Sequence, residues 1–577
     1  MLRRHGRWTG PLIAACFAPT AFGQATVNPD AEGRNIEGVP APAIERFDPV
    51  LDAWWQDAVF YQVFTRSFAD STEGPWANDG TGDLRGLIER LDYLNDGDPT
   101  TDDDLGITGL WIMPITESGG YHGYEVLDYI NVDTEFGDNE TFRELVRECE
   151  KRGMRVILDV VLNHSSWNHP WFLEAQSSPD SPKRDWYIWA DQDPGYKGPW
   201  NQKVWHQSPA GDGSWYYGVF WHGMPDINFE NADASAAMLE VVRYWQEEMG
   251  VHGFRLDAIR HLIEDGETQD NTPETHAWLQ DFFRFYKSID PDAVTVGEVW
   301  SNAEVATRFV GDQMDIAFEF DTAYALIDSV SRQDRERLDV VLGDVLRLYP
   351  SGMYATFVHN HDMHRAANRF AEVEGATDED IDAMIRLAAS LQFSLPGVPF
   401  IYYGEEIGQR GMYIDYDNRA PMPWSTAPHA GFSSVEPKQE VNEGWRERNV
   451  ETQRAVPGSI LNHYRRVIGL RHAHETLRKG ELVVLKTDRP EVFALARRPI
   501  KVGEGDTART FGEGDFLCVF NLSGEVVEDA AVYLPEELRS RGVEDVLGGL
   551  MVLATGFEEV WTLPELKPRS AAYLKLD

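Results

Sequence analysis

An arginine and an aspartate two residues apart close an apolar run in Gly253-Phe254-Arg255-Leu256-Asp257, and the chain continues Ala258-Ile259-Arg260-His261. If the run is a strand, alternation sends Arg255 and Asp257 to one side, where the guanidinium is expected to keep the carboxylate ionised, as a nucleophile requires. Other apolar runs close on Asp159, with Asn163 and His164 just after it, and on Glu298; a later one is followed by His361 and Asp362. A structural ion pair explains one such strand end, but hardly four. Two chemistries use a cluster of this composition, metal-assisted hydrolysis and glycosidic cleavage by paired carboxyls. The acids stand singly, a whole strand-helix unit apart, and no His-Glu-x-x-His spacing occurs, which disfavours the metal-centred reaction.

The elements that must position these residues can be read from periodicity. Val59–Phe64, Thr108–Met113, Arg155–Asp159, Phe254–Asp257, Val294–Glu298, Met314–Phe320, Ala355–Val358 and Phe400–Tyr403 read as strands, with helical patterns such as Thr141–Arg152, Ala236–Glu248, Thr275–Lys287 and Ile381–Ser394 between them. This alternation predicts an α/β fold, a (β/α)8 TIM barrel over 48–163 and 231–477, with an open doubly wound sheet as the alternative. In such a barrel the strand C-termini share one face, so the acids converge. Residues 164–230 are too many for an ordinary connection and are predicted to form a small inserted domain after strand 3. That segment holds Trp167, Trp171, Trp186, Trp200, Trp205, Trp215 and Trp221, a concentration of aromatic rings that favours a carbohydrate partner. The loop 404–457 is expected to wall the same face. Beyond Leu477 the runs become β-rich, predicting a C-terminal all-β sandwich over 478–577.

With 96 acidic against 52 basic residues the formal charge is −44, which repels nucleic acid and anionic membranes. Arg3, Arg4 and Arg7 precede an apolar segment, Trp8 to Phe22, and the small-residue site Ala21-Phe22-Gly23, the pattern of a signal peptide over 1–23 with a polar linker over 24–47. The expected location is therefore periplasmic or extracellular. Ile13-Ala14-Ala15-Cys16 offers a competing route, a lipid anchor on Cys16. No other run approaches the ~20 apolar residues of a transmembrane span. Cys149 and Cys518 fall in different predicted domains, so no disulfide is expected.

From about Trp54 to the C-terminus the chain resembles the α-amylase family of glycoside hydrolases. The resemblance is carried by Asp159-Val160-Val161-Leu162-Asn163-His164, the Gly253–His261 stretch, Val296-Gly297-Glu298-Val299-Trp300 and Phe357-Val358-His359-Asn360-His361-Asp362. Tyr121-His122-Gly123-Tyr124 and Pro396–Gly404 are also similar to that family. The resemblance implies an enzyme of the retaining type, with Asp257 as nucleophile, Glu298 as acid/base and Asp362 binding sugar hydroxyls near the transition state. It also implies that Tyr124, His164, Arg255, His361 and Arg419 line the subsite of the attacked sugar, with Arg260 and His261 toward the leaving group. Arg260 stands where family members often have lysine. Met224-Pro225-Asp226-Ile227-Asn228 resembles a bacterial group intermediate between oligo-1,6-glucosidases and neopullulanases, and Tyr121 replaces an aspartate similar exo-enzymes carry. The implied substrate is starch or maltooligosaccharide, an α-glucan cut by endo action. Alternatives are an exo-acting α-glucosidase or glucosyltransferase such as a trehalose synthase, suggested by Arg419–Trp424, and a non-catalytic carbohydrate-binding protein. Calcium is implied at Asn163, Asp226 and the carbonyl of His261, and a second site at Asp79 and Asp83.

Overall fold

The computed structural model describes residues 52–411, 416–503, 508–539, 542–548, 559–563 and 565–576. The expected signal peptide, its Cys16 and the linker lie outside these residues. Strands β1 (Phe60–Val63), β2 (Gly109–Ile112) and β3 (Arg155–Val160) run parallel. The chain then builds an inserted antiparallel sheet of β4 (Trp189–Ala190), β5 (Trp205–Gln207) and β6 (Trp215–Tyr217), with β6 in the middle. It returns through β7 (Gly253–Leu256), β8 (Val294–Gly297), β9 (Ile316–Phe318), β10 (Tyr354–Thr356) and β11 (Val398–Tyr402). Strand β11 pairs with β1, so the eight strands close a parallel barrel. Both faces of these strands are covered, which is why they read as almost unbroken apolar runs. The register sets Asp159 level with Arg255 on the neighbouring strand. At Gly253, with φ +149°, an added Cβ would meet the Val294 carbonyl oxygen at 1.9 Å, so only glycine lets β7 approach β8 this closely.

The longer helices are amphipathic, and most of their N-termini are fixed by polar caps. Asp138 accepts from Thr141 N at 2.8 Å to open Asn139–Lys151, which buries Phe142, Leu145 and Cys149. Asn231, Thr272 and Thr377 cap Ala232–Glu247, Pro273–Ile289 and Asp378–Ser394, each of which starts a few residues ahead of the apolar period. Each such cap stabilises its helix by about 1 kcal/mol. No helix among the described residues is long and apolar enough to cross a membrane.

The C-terminal region holds β12 (Glu481–Leu485), β13 (Val492–Arg498), β14 (Ile500–Val502), β15 (Arg509–Phe511), β16 (Asp515–Asn521), β17 (Ala531–Tyr533), β18 (Val543–Asp545), β19 (Val560–Thr562) and β20 (Ser570–Leu576). Strands β12, β13, β16, β20 and β18 form one sheet in that order. Alternation divides its side chains between two cores. Phe493, Leu495, Phe516, Phe520 and Tyr573 pack on the barrel, whereas Val492, Ala494, Leu517 and Leu574 pack with Val532 of β17 and Trp561 of β19. Cys149 and Cys518 are both buried and unbridged.

Candidate active site

Arg255 is 1% exposed and joins the ends of three strands. Its Nη1 donates to Asp159 Oδ1 and Oδ2 at 2.9 and 3.0 Å and to Asp257 Oδ1 at 2.7 Å, and its Nη2 meets Glu298 Oε2 at 2.8 Å. Directly after Asp257 the backbone turns left-handed at Ala258, φ 47°, an uncommon conformation for a residue with a Cβ. That turn lets Ala258 N donate to Glu298 Oε2 at 3.2 Å. Strain of this kind persists only where the surroundings enforce it, here between the two carboxyls.

Burial is the largest influence on the protons of these acids. It pushes Glu298 up to about 8 against the opposing pull of Arg255, with Asp257 and Asp362 adding to the rise. Asp159 is pushed up to about 7 by burial, again against Arg255. Asp257 is also raised by burial, so the guanidinium expected to hold it ionised tempers the shift without reversing it. Asp362 behaves oppositely. Burial alone would raise it, but His361 and Arg419 hold it well below the usual carboxylate range. His361 Nε2 lies 2.9 Å from Asp362 Oδ2, and Arg419 Nη2 lies 2.8 Å from Asp362 Oδ1. Gln62 Nε2 stands 2.8 Å from His361 Nδ1; as donor it leaves the ring proton on Nε2, facing Asp362. Burial pushes His361 down to about 4, so at neutral pH this contact is a hydrogen bond from a neutral ring and Arg419 supplies the countercharge.

The other expected residues surround this centre. Tyr124 donates to Asp159 Oδ2 at 3.1 Å, and its ring stacks on His361 with centroids 5.7 Å apart. His164 Nε2 faces the Tyr124 carbonyl at 3.1 Å, and burial pushes its pKa down to about 4. His261 Nδ1 lies 2.8 Å from the Gln269 carbonyl. Arg419 Nη1 donates to the Tyr121 hydroxyl at 3.2 Å, and the Tyr121 ring stacks on Tyr416 at 4.2 Å. Arg260 is drawn to the protein itself. It donates to the Trp300 carbonyl and to Asp270 Oδ2, both at 2.7 Å, bracing the segment that follows Glu298. Sequence reasoning passed over Gln62 and Asn418, whose Nδ2 donates to the carbonyls of Asn360 and His361 at 3.2 and 2.8 Å. Gln62 lies within strand β1, a polar residue in an otherwise apolar run, which could have pointed to it; Asn418 lies in a turn well past β11 and had no such signal.

Two places were expected to hold calcium, and their donor sets differ. Asn163 Nδ2 touches the His261 carbonyl at 2.6 Å, and neighbouring Asp226 is 1% exposed. Asp226 Oδ2 and both carboxyl oxygens of Glu264 are buried without a hydrogen-bond donor; burial raises both acids, Glu264 to about 8, and the charge of Glu264 adds to the rise at Asp226. Orphaned carboxylate oxygens beside an amide and a carbonyl suit a hard cation. Glu264 was not anticipated. The second set does not fit a cation. Asp83 accepts from Ser71 N and Gly86 N at 3.0 and 2.9 Å, and Asp79 accepts from Thr81 N at 2.8 Å while its other oxygen faces Lys438 Nζ at 3.4 Å. Asp79 and Asp83 are thus a turn residue and a helix cap, with an ammonium alongside. Among the described residues no cluster of three or more His, Cys, Asp or Glu side chains has metal-holding geometry.

Known proteins are similar to this chain in sequence and fold. The family described as "Alpha amylase, catalytic domain" matches residues 62–480. A protein named alpha-amylase 3, from Dictyoglomus thermophilum, is 35% identical over 448 residues, 77% of this chain and 82% of its own. A trehalose synthase/amylase of Mycobacterium tuberculosis is 32% identical over 561 residues, covering 86% of this chain and 88% of its own. The crystal structure of an alpha-amylase from H. orenii superposes with a TM-score of 0.76 at 32% identity, over 90% of this chain and 99% of that one.

Proposed function

This chain belongs to the α-amylase family of glycoside hydrolases, and on that premise we propose that it cleaves α-1,4-glucosidic bonds within starch and maltooligosaccharides by a double displacement that retains configuration. The observation that carries the reading is Arg255 bridging Asp257 and Glu298 at 2.7 and 2.8 Å. Two carboxyls on one guanidinium match the close spacing of retaining enzymes, about 5–5.5 Å, better than the ~6.5–9.5 Å that admits a water between them. Asp257 attacks the anomeric carbon as Glu298, protonated at neutral pH, gives its proton to the departing oxygen. The resulting Glu298 carboxylate then takes a proton from the water that frees the sugar. Asp362, kept charged by Arg419, binds sugar hydroxyls and favours the cationic transition state. Tyr124, His164 and His361 complete that subsite. Asn163, Asp226, Glu264 and the His261 carbonyl would hold calcium, which when bound would fasten the inserted domain to the barrel.

A second reading, exo action or glucosyl transfer, has one observation in its favour. The Tyr121–Tyr416 stack, tied to Asp362 through Arg419, narrows the far side of the subsite. A product time course on starch, pullulan, maltotriose and maltose decides between them. Endo action gives mixed oligosaccharides and a rapid fall in iodine staining from the first minutes. Glucose alone, or trehalose from maltose, would sink it.

A further inference from the structure

The inserted domain presents one aromatic ring to solvent directly beside the catalytic turn. Trp200 is 49% exposed, its ring lies 5.3 Å from His261 in edge contact, and it stacks on Phe220 at 5.8 Å. Phe220 in turn lies 5.2 Å from His164, so the three rings step from solvent to the subsite of the attacked sugar.

The ring is held in place by its turn. Gly198 N donates to the Gln202 carbonyl and Asn201 N to the Gly198 carbonyl, both at 2.9 Å, and Asn201 takes the left-handed conformation that closes the bend, φ 64°. Gln202 accepts from Trp200 N at 2.8 Å and donates to the Val219 carbonyl at 2.9 Å. At the base of the turn, Gln269 Nε2 donates to the Lys197 carbonyl at 2.7 Å, and the same residue's carbonyl faces His261 Nδ1 at 2.8 Å. Trp200 and His261 therefore share one anchor. A large exposed indole on a pre-organised turn loses little entropy when a ligand settles on it.

Its side of the pocket follows from Glu298. That carboxyl accepts from Ala258 N, at the start of the turn leading to His261, whereas Arg419 joins Asp362 to Tyr121 in a cluster of their own. A group departing with the Glu298 proton thus lies toward Trp200.

We propose that Trp200, backed by Phe220, is the platform on which the glucosyl residue of the leaving group stacks, and on which an acceptor sugar stacks when it replaces water. In that transfer the acceptor hydroxyl gives its proton to the Glu298 carboxylate. Its oxygen bonds to the anomeric carbon as the bond to Asp257 breaks. The inference rests on the retaining reaction proposed above.

The test compares wild type, Trp200→Ala and Trp200→Phe on α-glucosyl fluoride, whose fluoride needs no platform, and on maltoheptaose. It also measures transfer from the fluoride to added maltose. The loss of kcat/KM in Trp200→Ala should be about ten-fold greater on maltoheptaose than on the fluoride, carried mainly by KM, and transfer relative to hydrolysis should fall by about as much. Trp200→Phe should recover part of both. Equal losses on the two substrates, or no loss on either, overturn the platform. A first product of β configuration released from the fluoride by wild type contradicts the retaining reaction, and the platform falls with it.

Discussion

Replacing Arg255 by methionine removes the one cation shared by Asp159, Asp257 and Glu298 while keeping the volume of the side chain's stem. The three acids are 5%, 8% and 9% exposed, so solvent cannot take over the guanidinium's role. Breaking a buried pair from one side destabilises by about 3–5 kcal/mol. The deficit should depend on pH in a defined direction. In the unfolded chain these carboxyls give up their protons near pH 4, whereas in the folded variant, without Arg255 to oppose burial, they hold them further above that value. A folded pKa raised above the unfolded one contributes stability that is complete below about pH 4 and is lost as pH rises. Denaturant unfolding of Arg255→Met should therefore show a gap from wild type that is small near pH 4 and widens through pH 8. Turnover should fall roughly 10²–10³-fold, as for loss of one preorganised donor at a reacting charge, with the acidic limb of kcat/KM moved upward. Arg255→Lys, a point charge that cannot fork between two carboxyls, should recover stability better than rate. A methionine variant with wild-type stability from pH 4 to 8 and an unmoved acidic limb would refute the reasoning.

Because Glu298 must carry its proton to act as the acid and is pushed up to about 8, kcat/KM should fall on the alkaline side through an apparent pKa near 8. Glu298→Gln should lose that limb together with nearly all turnover of unactivated glucans; a limb retained at 8 would assign the acid elsewhere. Chelation should lower the thermal midpoint, and calcium at 100 times its Kd should restore about 2.7 kcal/mol. Asp226→Asn and Glu264→Gln should each weaken that restoration, and indifference of wild type to chelator and calcium would dismiss the site.

The barrel was legible because its strands are short apolar runs covered on both faces and its helices repeat at a helical period. Their ends were less so: Ala232–Glu247 begins before its first core contact because Asn231 caps it, and Phe320 opens a helix at the end of a run read as strand. The convergence of Asp159, Asp257 and Glu298 could be foreseen because a barrel gathers strand ends on one face. What could not be found depends on contacts between distant segments. The bonds of Gln62 to His361 and of Asn418 to its carbonyl span 299 and 57 residues. Arg260, read as a sugar contact, bonds to Asp270 and Trp300, and Asp83, read as a metal ligand, caps Leu84–Glu89. A side chain's type shows what it can bind, while its partner within the protein is set by the fold.

The central claim is that Asp257 forms a covalent bond to the sugar. Its most direct measurement is mass spectrometry of the protein quenched during turnover of 5-fluoro-α-glucosyl fluoride, whose second fluorine slows release of the sugar. The account predicts a mass increase of one fluoroglucosyl group, located by digestion to the peptide containing Asp257 and absent from Asp257→Asn. A glycosylated peptide lacking Asp257, or a first product of inverted configuration with no adduct, would contradict it.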